Sequence, residues 1–174
     1  MNNDLPREIE RKYIIKRPTA QLLESIGASH TEILQTYLAV PESGAKRRVR
    51  KRGSEQNGWV YTYTEKTDVS FGERIEIERE INREEYETLI EEASPDRPPI
   101  EKTRYVFKYE GQTFELDIYP FSEELAVLEI ELDSIEREVK LPEFLEVIRD
   151  VTGDKRYENS QLAAAQKLEL LPLE

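Results

Sequence analysis

The sequence predicts a mainly β protein of the α+β class, in which eight antiparallel strands can close into a barrel with helices packed outside it. Three observations predict this fold. Short segments rich in aromatic and β-branched residues recur along the chain, and 59–64 (Trp-Val-Tyr-Thr-Tyr-Thr) is the clearest. Short turns join most of these segments, which favours antiparallel neighbours. Several segments also alternate charged and aliphatic residues with the two-residue period of a strand.

The predicted strands are bounded by turn residues. Pro41 and Gly44 end the second strand, 53–58 forms a turn between two glycines, and Glu110-Gly111 turns a hairpin. The eight strands lie at 8–16, 31–40, 45–52, 59–64, 72–81, 100–109, 112–119 and 125–133.

Helices are predicted between some of the strands and at the end of the chain. Pro18 and Gly27 lie near the ends of the first helix, Asn82 is an N-cap candidate for the second, and Pro142 precedes the third. The fourth is a C-terminal helix with leucines on its apolar side. The four helices lie at 18–28, 83–92, 144–151 and 157–170. No linker divides the chain, so 1–174 is predicted to form a single domain.

The composition excludes several classes of function. The net charge of −12 disfavours general nucleic-acid binding, which needs an excess of lysine and arginine. Cysteine is absent and His30 is the one histidine, which excludes thiol chemistry and disfavours a zinc site built on histidines. No apolar run is long enough to span a membrane, and the N-terminus lacks the features of a signal peptide. We therefore expect a cytoplasmic protein without a nucleic-acid or membrane partner.

Two interpretations of the charged alternation remain open from the pattern alone. Side chains two residues apart share one face of a strand, so Glu8, Glu10 and Lys12 point the same way. In one interpretation the charged face meets solvent and the aliphatic face meets the core. In the other, the charged residues line a wet interior and the aliphatic residues pack outward against helices. A single strand with this pattern would favour the first interpretation. Recurrence of the pattern on several strands, with both signs of charge, increases the support for the second.

The two signs of charge together indicate a metal-bridged polyphosphate. Arginine binds phosphate oxygens in a bidentate way and lysine acts as a point charge. Clustered carboxylates would repel such a ligand unless a cation intervened, and Mg²⁺ is commonly held by a few carboxylates plus the phosphates of a substrate. The chain has no GxxxxGK[ST] motif, which excludes a site of the Walker type.

The motifs resemble those of the CYTH family, also called triphosphate tunnel metalloenzymes. The resemblance covers nearly the whole chain and begins with the ExExK motif at Glu8, Glu10 and Lys12. One such motif is a weak signal in a glutamate-rich chain, but seven elements in the family's order make a strong one. After ExExK these are Arg48-Val49-Arg50, Lys66, Glu76-Ile77-Glu78, Lys102-Thr103-Arg104, Glu115-Leu116-Asp117 and Glu129-Ile130-Glu131.

The resemblance implies an eight-stranded antiparallel tunnel that binds a triphosphate, with Mg²⁺ or Mn²⁺ as cofactor. It also implies roles for individual residues. The substrate-binding residues would be Lys12, Arg48, Arg50, Lys66, Lys102, Arg104 and, from the C-terminal segment, Arg156. The metal ligands would be Glu8, Glu10, Glu76, Glu78, Asp117, Glu129 and Glu131. The catalytic group would comprise Glu8, Glu10 and Lys12, and one of the carboxylates would orient or deprotonate the attacking water.

The expected function is hydrolysis of inorganic tripolyphosphate or of a small organic triphosphate by a metal-dependent enzyme. Three alternatives stay open at this point. The chain could be an adenylate cyclase that makes cyclic AMP and pyrophosphate from ATP, a thiamine triphosphatase, or a polyphosphate-binding module with little turnover. A homodimer is a candidate assembly. The sequence does not decide between Mg²⁺ and Mn²⁺ or name the preferred triphosphate.

Overall fold

The computed structural model describes residues 9–70, 73–134 and 136–173. Within these ranges the chain forms nine strands, three α-helices and a short 3₁₀ helix at Lys155–Tyr157. The strands are β1 (Ile9–Lys16), β2 (Ser29–Tyr37), β3 (Lys46–Ser54), β4 (Gly58–Ser70), β5 (Glu73–Ile81), β6 (Ile100–Tyr109), β7 (Gln112–Ile118), β8 (Leu125–Leu132) and β9 (Val147–Asp150). The helices are α1 (Ala20–Ser25), α2 (Arg83–Ile90) and α3 (Asn159–Ala165).

The chain divides into two compact units. Unit 1 comprises 1–30, 104–157 and 168–174, and unit 2 comprises 31–103 and 158–167. The strand order is β6-β7-β8-β1-β9 in unit 1 and β5-β4-β3-β2 in unit 2, and the first residues of β6, 100–103, are part of unit 2. The register is antiparallel for β1 with β8, β7 with β8, β2 with β3, β3 with β4 and β4 with β5. This confirms the predicted mainly antiparallel fold.

The core of unit 1 lies on the aliphatic face of its strands. Leu116 and Leu128 are fully buried there, and Ile130 is 3% exposed. Leu23 of α1 packs into the same cluster. Thr19 caps that helix by accepting a hydrogen bond at Oγ1 from the backbone N–H of Leu22. The aliphatic residues of the acidic motifs therefore pack under a helix, as the second interpretation of the alternation predicts.

The core of unit 2 repeats this arrangement on β3 and β4. Val49, the central residue of Arg48-Val49-Arg50, is fully buried and packs with Tyr63 and Ile81. Tyr86 of α2 completes the cluster. The N-cap predicted at Asn82 is confirmed, because its Oδ1 accepts a hydrogen bond of 2.8 Å from the backbone N–H of Glu85.

Strand β5 departs from the expected packing of its aliphatic residues. Ile75 and Ile77 alternate with Glu76 and Glu78, yet they remain 51% and 52% exposed. Ile81, on the same face, is buried against Tyr63 and α2. Helix α2 follows directly after Ile81 and covers that end of the strand. The alternation on β5 therefore orients the glutamates without burying the two isoleucines.

The prediction of a helix at 144–151 is wrong. Val147–Asp150 forms β9, which pairs with β1 through Tyr13 with Asp150 and Ile14 with Arg149. The β-branched Val147 and Ile148 favour a strand, and the free edge of β1 offers backbone partners that a helix would not use. The described residues therefore contain nine strands where eight were predicted.

The C-terminal helix is shorter than predicted. Residues 157–170 were expected to be one helix, but α3 covers only Asn159–Ala165. It ends at Gln166, whose φ of 52° is left-handed, and the segment that follows is extended. Leu168 is 7% exposed in that extended segment. The described part of the chain contains no helix long and apolar enough to cross a lipid bilayer.

Candidate functional site

The basic motif of unit 2 lies on one face of a four-stranded ladder. Opposed residues of antiparallel strands point to the same side of the sheet. Arg50 lies opposite Gln35 on β2 and Thr62 on β4, and Arg48 lies opposite Tyr37 and Thr64. Beyond β4, the ladder continues from Thr64 to Glu78 on β5 and from Lys66 to Glu76. The backbone register thus places Arg48, Arg50, Lys66, Glu76 and Glu78 on one face, as the parity of the sequence predicts.

A buried glutamine links Arg50 of this face to a tyrosine. Gln35 is fully buried, and its Oε1 accepts a hydrogen bond of 2.8 Å from Nη2 of Arg50. Its Nε2 donates to Tyr37 Oη at 3.3 Å. Burial raises the pKa of Tyr37, while Arg48 and the hydrogen bond from Gln35 partly offset that rise. Nε of Arg48 is buried without a hydrogen-bond partner among the described residues, which leaves a donor suited to an anion.

Other predicted residues of unit 2 differ in how deeply they lie. Lys102 is 1% exposed, and its Nζ donates to Oδ1 of Asn159 on α3 at 3.4 Å. Thr64 is 2% exposed and donates through Oγ1 to Glu78 Oε1 at 3.3 Å. Glu76 and Glu78 themselves are exposed on β5. The buried cation Lys102 and the exposed carboxylates therefore occupy different environments within this unit.

The predicted residues of unit 1 form a second row of charges across β7, β8 and β1. Glu115 lies opposite Glu129, Glu129 lies opposite Lys12, and Glu131 lies opposite Glu10. Lys12 Nζ is 3.4 Å from Glu129 Oε1 and 3.8 Å from Glu10 Oε1. It also donates to the backbone carbonyl of Tyr157 at 3.4 Å. Lys12 is therefore the cation that separates the carboxylates of two adjacent strands.

Arg104 is held among the carboxylates of the same unit. Its Nε and Nη2 donate to Oδ1 and Oδ2 of Asp117 at 2.8 Å and 2.9 Å, a bidentate pair. Nη1 lies 2.6 Å from Glu115 Oε2, and Nη2 lies 4.0 Å from Glu129 Oε2. Burial by itself lowers the pKa of Arg104, but the hydrogen bonds and charge of Asp117 outweigh it and the net direction is upward. Asp117, fully buried, is thus a direct partner of Arg104.

The carboxylates of unit 1 interact with one another as well as with these cations. The pKa of Glu10 is raised to about 7, chiefly by burial and next by the negative charge of Glu129, while Lys12 acts in the opposite direction. Burial also raises the pKa of Glu115, against the opposing effect of Arg104. Repulsion of this kind arises only where carboxyl groups lie close together, and hard oxygen donors brought together suit a divalent cation. The donor set of unit 1 therefore fits Mg²⁺ or Mn²⁺ in its chemistry.

Among the described residues, the carboxylates do not form a complete coordination shell for a metal ion. Within 9–70, 73–134 and 136–173, no three acidic or imidazole side chains converge closely enough to enclose a metal ion. This agrees with the electrostatic repulsion around Glu10, because the oxygens are near enough to repel but are turned toward Lys12 and Arg104. Assignment of Glu10, Glu76, Glu78, Asp117, Glu129 and Glu131 as metal ligands stays a prediction, and Glu8 lies outside the described residues.

Arg156 is engaged by the C-terminal segment of unit 1. Its Nε and Nη2 donate to Asp154 Oδ1 and Oδ2 at 3.0 Å and 2.8 Å. Its Nη1 donates to the backbone carbonyl of Pro172 at 2.8 Å. Hydrogen bonds from Arg156 lower the pKa of Asp154. The guanidinium that was predicted to contact phosphate is therefore folded onto its own segment in this structure.

The sequence motifs missed the residues that support the charged ones. Gln35 and Tyr37 lie two residues apart on β2, the strand that precedes the basic motif of β3. The same parity that identified Arg48 and Arg50 would have placed them on that face. Asn159 gave no comparable signal, because its contact with Lys102 joins positions 57 residues apart in the sequence. These residues are uncharged, so a search for alternating charges does not select them.

The comparison with known protein families decides which family this is. The CYTH domain family matches residues 6–164, which is most of the chain. This chain belongs to the CYTH family. Its mainly antiparallel sheet with few helices is the fold of that family, and the motif elements at Lys12, Arg48-Val49-Arg50 and Glu129-Ile130-Glu131 lie within the matched range.

Individual relatives of this CYTH protein agree with that assignment. An inorganic triphosphatase from Acetivibrio thermocellus is 33% identical over 157 residues, which cover 90% of this chain and 92% of that protein. A crystal structure of the hypothetical protein NE1496 has a TM-score of 0.62 and 30% identity, covering 91% of this chain and 98% of its own. A second structure, described as the inorganic triphosphatase NE1496, has a TM-score of 0.61 and 28% identity, covering 92% and 96%.

Proposed function

We propose that this CYTH protein is a metal-dependent triphosphatase that releases phosphate from inorganic tripolyphosphate or from a small organic triphosphate. The observation that carries the proposal is the 33% identity to an inorganic triphosphatase over nine-tenths of the chain. The charge arrangement supports it. Unit 2 presents Arg48, Arg50 and Lys66 on one face of its ladder, and phosphate oxygens are the natural partners of such a row.

The basic residues bind and neutralise the phosphate chain. Phosphoryl transfer depends mainly on positioning and on stabilisation of charge, because the transition state spreads negative charge over the phosphoryl oxygens. Arg48 and Arg50 supply preformed guanidinium donors on a rigid strand, with Nε of Arg48 buried and available. The further phosphate-binding residues are Lys12, Lys66, Lys102, Arg104 and Arg156.

The acidic residues hold the cofactor and the attacking water. Glu8, Glu10, Glu76, Glu78, Asp117, Glu129 and Glu131 would hold Mg²⁺ or Mn²⁺, which when bound supplies charge neutralisation on the phosphate oxygens. Glu8 or Glu10 orients the water and accepts its proton as the new P–O bond forms. Lys12 stabilises the oxygen of the departing pyrophosphate as the old P–O bond breaks.

The test is phosphate release from a panel of triphosphates, with Mg²⁺, with Mn²⁺ and with EDTA. We expect release from tripolyphosphate that requires one of the two ions. Arg50→Ala and Glu10→Gln should each lower kcat/KM by about 10²-fold, as removal of a charge-stabilising group does in other enzymes. Lys51→Ala is the matched control, because Lys51 lies next to Arg50 on β3 but stacks its Nζ over the Trp59 ring at 4.1 Å.

The products separate hydrolysis from the alternatives. ADP and phosphate from ATP support a hydrolase, whereas cyclic AMP and pyrophosphate would show an adenylate cyclase. A higher rate with thiamine triphosphate than with tripolyphosphate would change the substrate but keep the reaction. Tight binding of polyphosphate by the wild-type protein, with no product from any triphosphate under any metal condition, would refute the proposal in favour of a binding module.

A further inference from the structure

Gln35 lies between two side chains of the basic face in unit 2. We propose that it is a positioning residue that orients Arg50 and Tyr37 before the phosphate chain binds. The inference rests on the proposed triphosphate substrate and adds a residue that none of the charged motifs contains. It concerns a side chain that acts through its neighbours and need not touch the substrate.

The contacts of Gln35 carry the argument. The side chain is fully buried, so its amide cannot exchange these partners for water. Oε1 accepts from Arg50 Nη2 at 2.8 Å, and Nε2 donates to Tyr37 Oη at 3.3 Å. The register pairs Gln35 directly with Arg50 and pairs Tyr37 with Arg48. One amide therefore joins the two positions of β2 that face the arginines of β3.

The chemistry of an amide suits a cation that must bind an anion. A neutral acceptor orients the guanidinium without itself adding a negative charge beside it. Arg104 of unit 1 shows the contrast, because Asp117 and Glu115 hold it in ion pairs at 2.8 Å and 2.6 Å. A carboxylate at position 35 would fix Arg50 equally well but would cancel the charge that binds the substrate.

The same amide also acts on Tyr37. Because the phenol oxygen accepts the hydrogen bond from Gln35, the tyrosine's own O–H remains a donor. Burial keeps the phenol protonated by raising its pKa. Gln35 thus orients one charged donor and one neutral donor on the same face. Loss of the amide should loosen both side chains and leave the strand pairing intact.

The test compares Gln35→Met with Gln35→Glu and a matched control. Methionine keeps the volume and the flexibility of glutamine but removes both hydrogen bonds, whereas glutamate keeps the acceptor for Arg50 and removes the donor to Tyr37. The control is Thr36→Val, since Thr36 is the adjacent residue on β2, is 1% exposed and interacts with Tyr86 on the opposite face. Circular dichroism and urea denaturation verify that each variant is folded.

The first readout needs neither substrate nor activity. The Nη signals of ¹⁵N-labelled arginine report how fast a guanidinium rotates, and Arg50→Lys identifies the signals of Arg50. We expect rotation about tenfold faster in Gln35→Met, the change that corresponds to one hydrogen bond to a charged group. Gln35→Glu should restore slow rotation, and Thr36→Val should leave it unchanged. Unchanged rotation in Gln35→Met would overturn the inference, whatever the enzyme hydrolyses.

The second readout measures whether the orientation of Arg50 affects hydrolysis of the substrate. In Gln35→Met, kcat/KM for tripolyphosphate should fall about tenfold, while Thr36→Val stays within about twofold of wild type. Gln35→Glu should raise KM although Arg50 is ordered, because its charge is compensated. If Arg50 rotates faster but the kinetics do not change, the inference is wrong.

Should Gln35→Met not fold, an unchanged KM in Gln35→Glu would overturn the inference. Failure of the wild type to hydrolyse any triphosphate refutes the proposed function but leaves the rotation measurement decisive for Gln35.

Discussion

Arg104 and Arg50 illustrate two ways in which single residues hold a cation on a charged strand. Arg104 is paired with Asp117 and Glu115, and its charge is shared with them. Arg50 donates to the neutral amide of Gln35. Both cations belong to basic motifs with the same spacing, and only their neighbours differ. A carboxylate partner compensates the charge of an arginine, whereas an amide partner such as Gln35 orients the guanidinium without adding negative charge.

Asp117→Ala should destabilise the fold through Arg104. Removal of one member of a buried ion pair costs about 3–5 kcal/mol, because it leaves the other charge without compensation. We expect the lower end, about 3 kcal/mol, since Glu115 still contacts Arg104 at 2.6 Å. Urea denaturation in the presence of EDTA measures the loss without any contribution from a bound metal.

Asp133→Ala is the control for this variant. The side chain of Asp133 is 76% exposed and pairs with Arg137 four residues further along the chain, so its removal should change stability by less than about 0.5 kcal/mol. Equal unfolding midpoints for the two variants would contradict the structural role assigned to Asp117. A loss that appeared only in the presence of Mg²⁺ or Mn²⁺ would instead favour its predicted role as a metal ligand.

At the scale of elements, the turn between β3 and β4 depends on Gly53. This residue has φ of 142°, and a Cβ placed on it would collide with the backbone carbonyl oxygen of Gly58. Gly53 also pairs with Trp59 on β4 and with Glu32 on β2, so the backbone on both sides is constrained. A side chain at this position cannot be accommodated by moving a flexible neighbour.

Gly53→Ala should therefore lower the free energy of unfolding more than the same substitution at an uncrowded left-handed glycine. Gly27 is the matched comparison, because its φ is 70° and no atom lies within 4 Å of the position of a Cβ. We expect about 1 kcal/mol for Gly27→Ala from backbone strain alone. Gly53→Ala should lose a further 1–3 kcal/mol, roughly the cost of overpacking. Thermal or urea denaturation of both variants checks this, and similar losses would show that the turn relaxes.

At the scale of the whole molecule, the net charge of −12 coexists with a local concentration of basic residues. The acidic excess is spread over the chain, whereas Arg48, Arg50 and Lys66 are concentrated on one face of unit 2. Net charge consequently predicted the absence of general nucleic-acid affinity but carried no information about a small anion. The local arrangement of charges governs recognition.

Binding of substrate should stabilise the whole chain. At a ligand concentration of 100 times Kd, linkage adds about 2.7 kcal/mol to the free energy of unfolding. For a chain of this size that corresponds to a rise in Tm of about 5–10 °C. Differential scanning fluorimetry with tripolyphosphate, at constant ionic strength, measures the rise. Sulfate should give a smaller shift, and Arg50→Ala should lose most of it. An identical shift with sulfate would indicate a nonspecific salt effect.

The sequence by itself determined the antiparallel strands, the parity of the charged residues and the family. Strand periodicity is local, so the face occupied by Arg48 and Arg50 follows from counting residues. The two-residue alternation also predicted that Val49, Leu116 and Ile130 would lie on the opposite, apolar face, and all three are buried. These properties depend on the chain within a few residues of each position.

Only the tertiary structure decided which residues support the charged ones. Residues 147–150, predicted to be helical, form β9 because the edge of β1 supplies backbone partners for a strand. Asp117 pairs with Arg104, Asn159 receives Lys102, and Gln35 joins Arg50 to Tyr37. Apart from the contact of Gln35 with Tyr37 on the same strand, these contacts link different segments of the chain, and no local pattern encodes the distance between them.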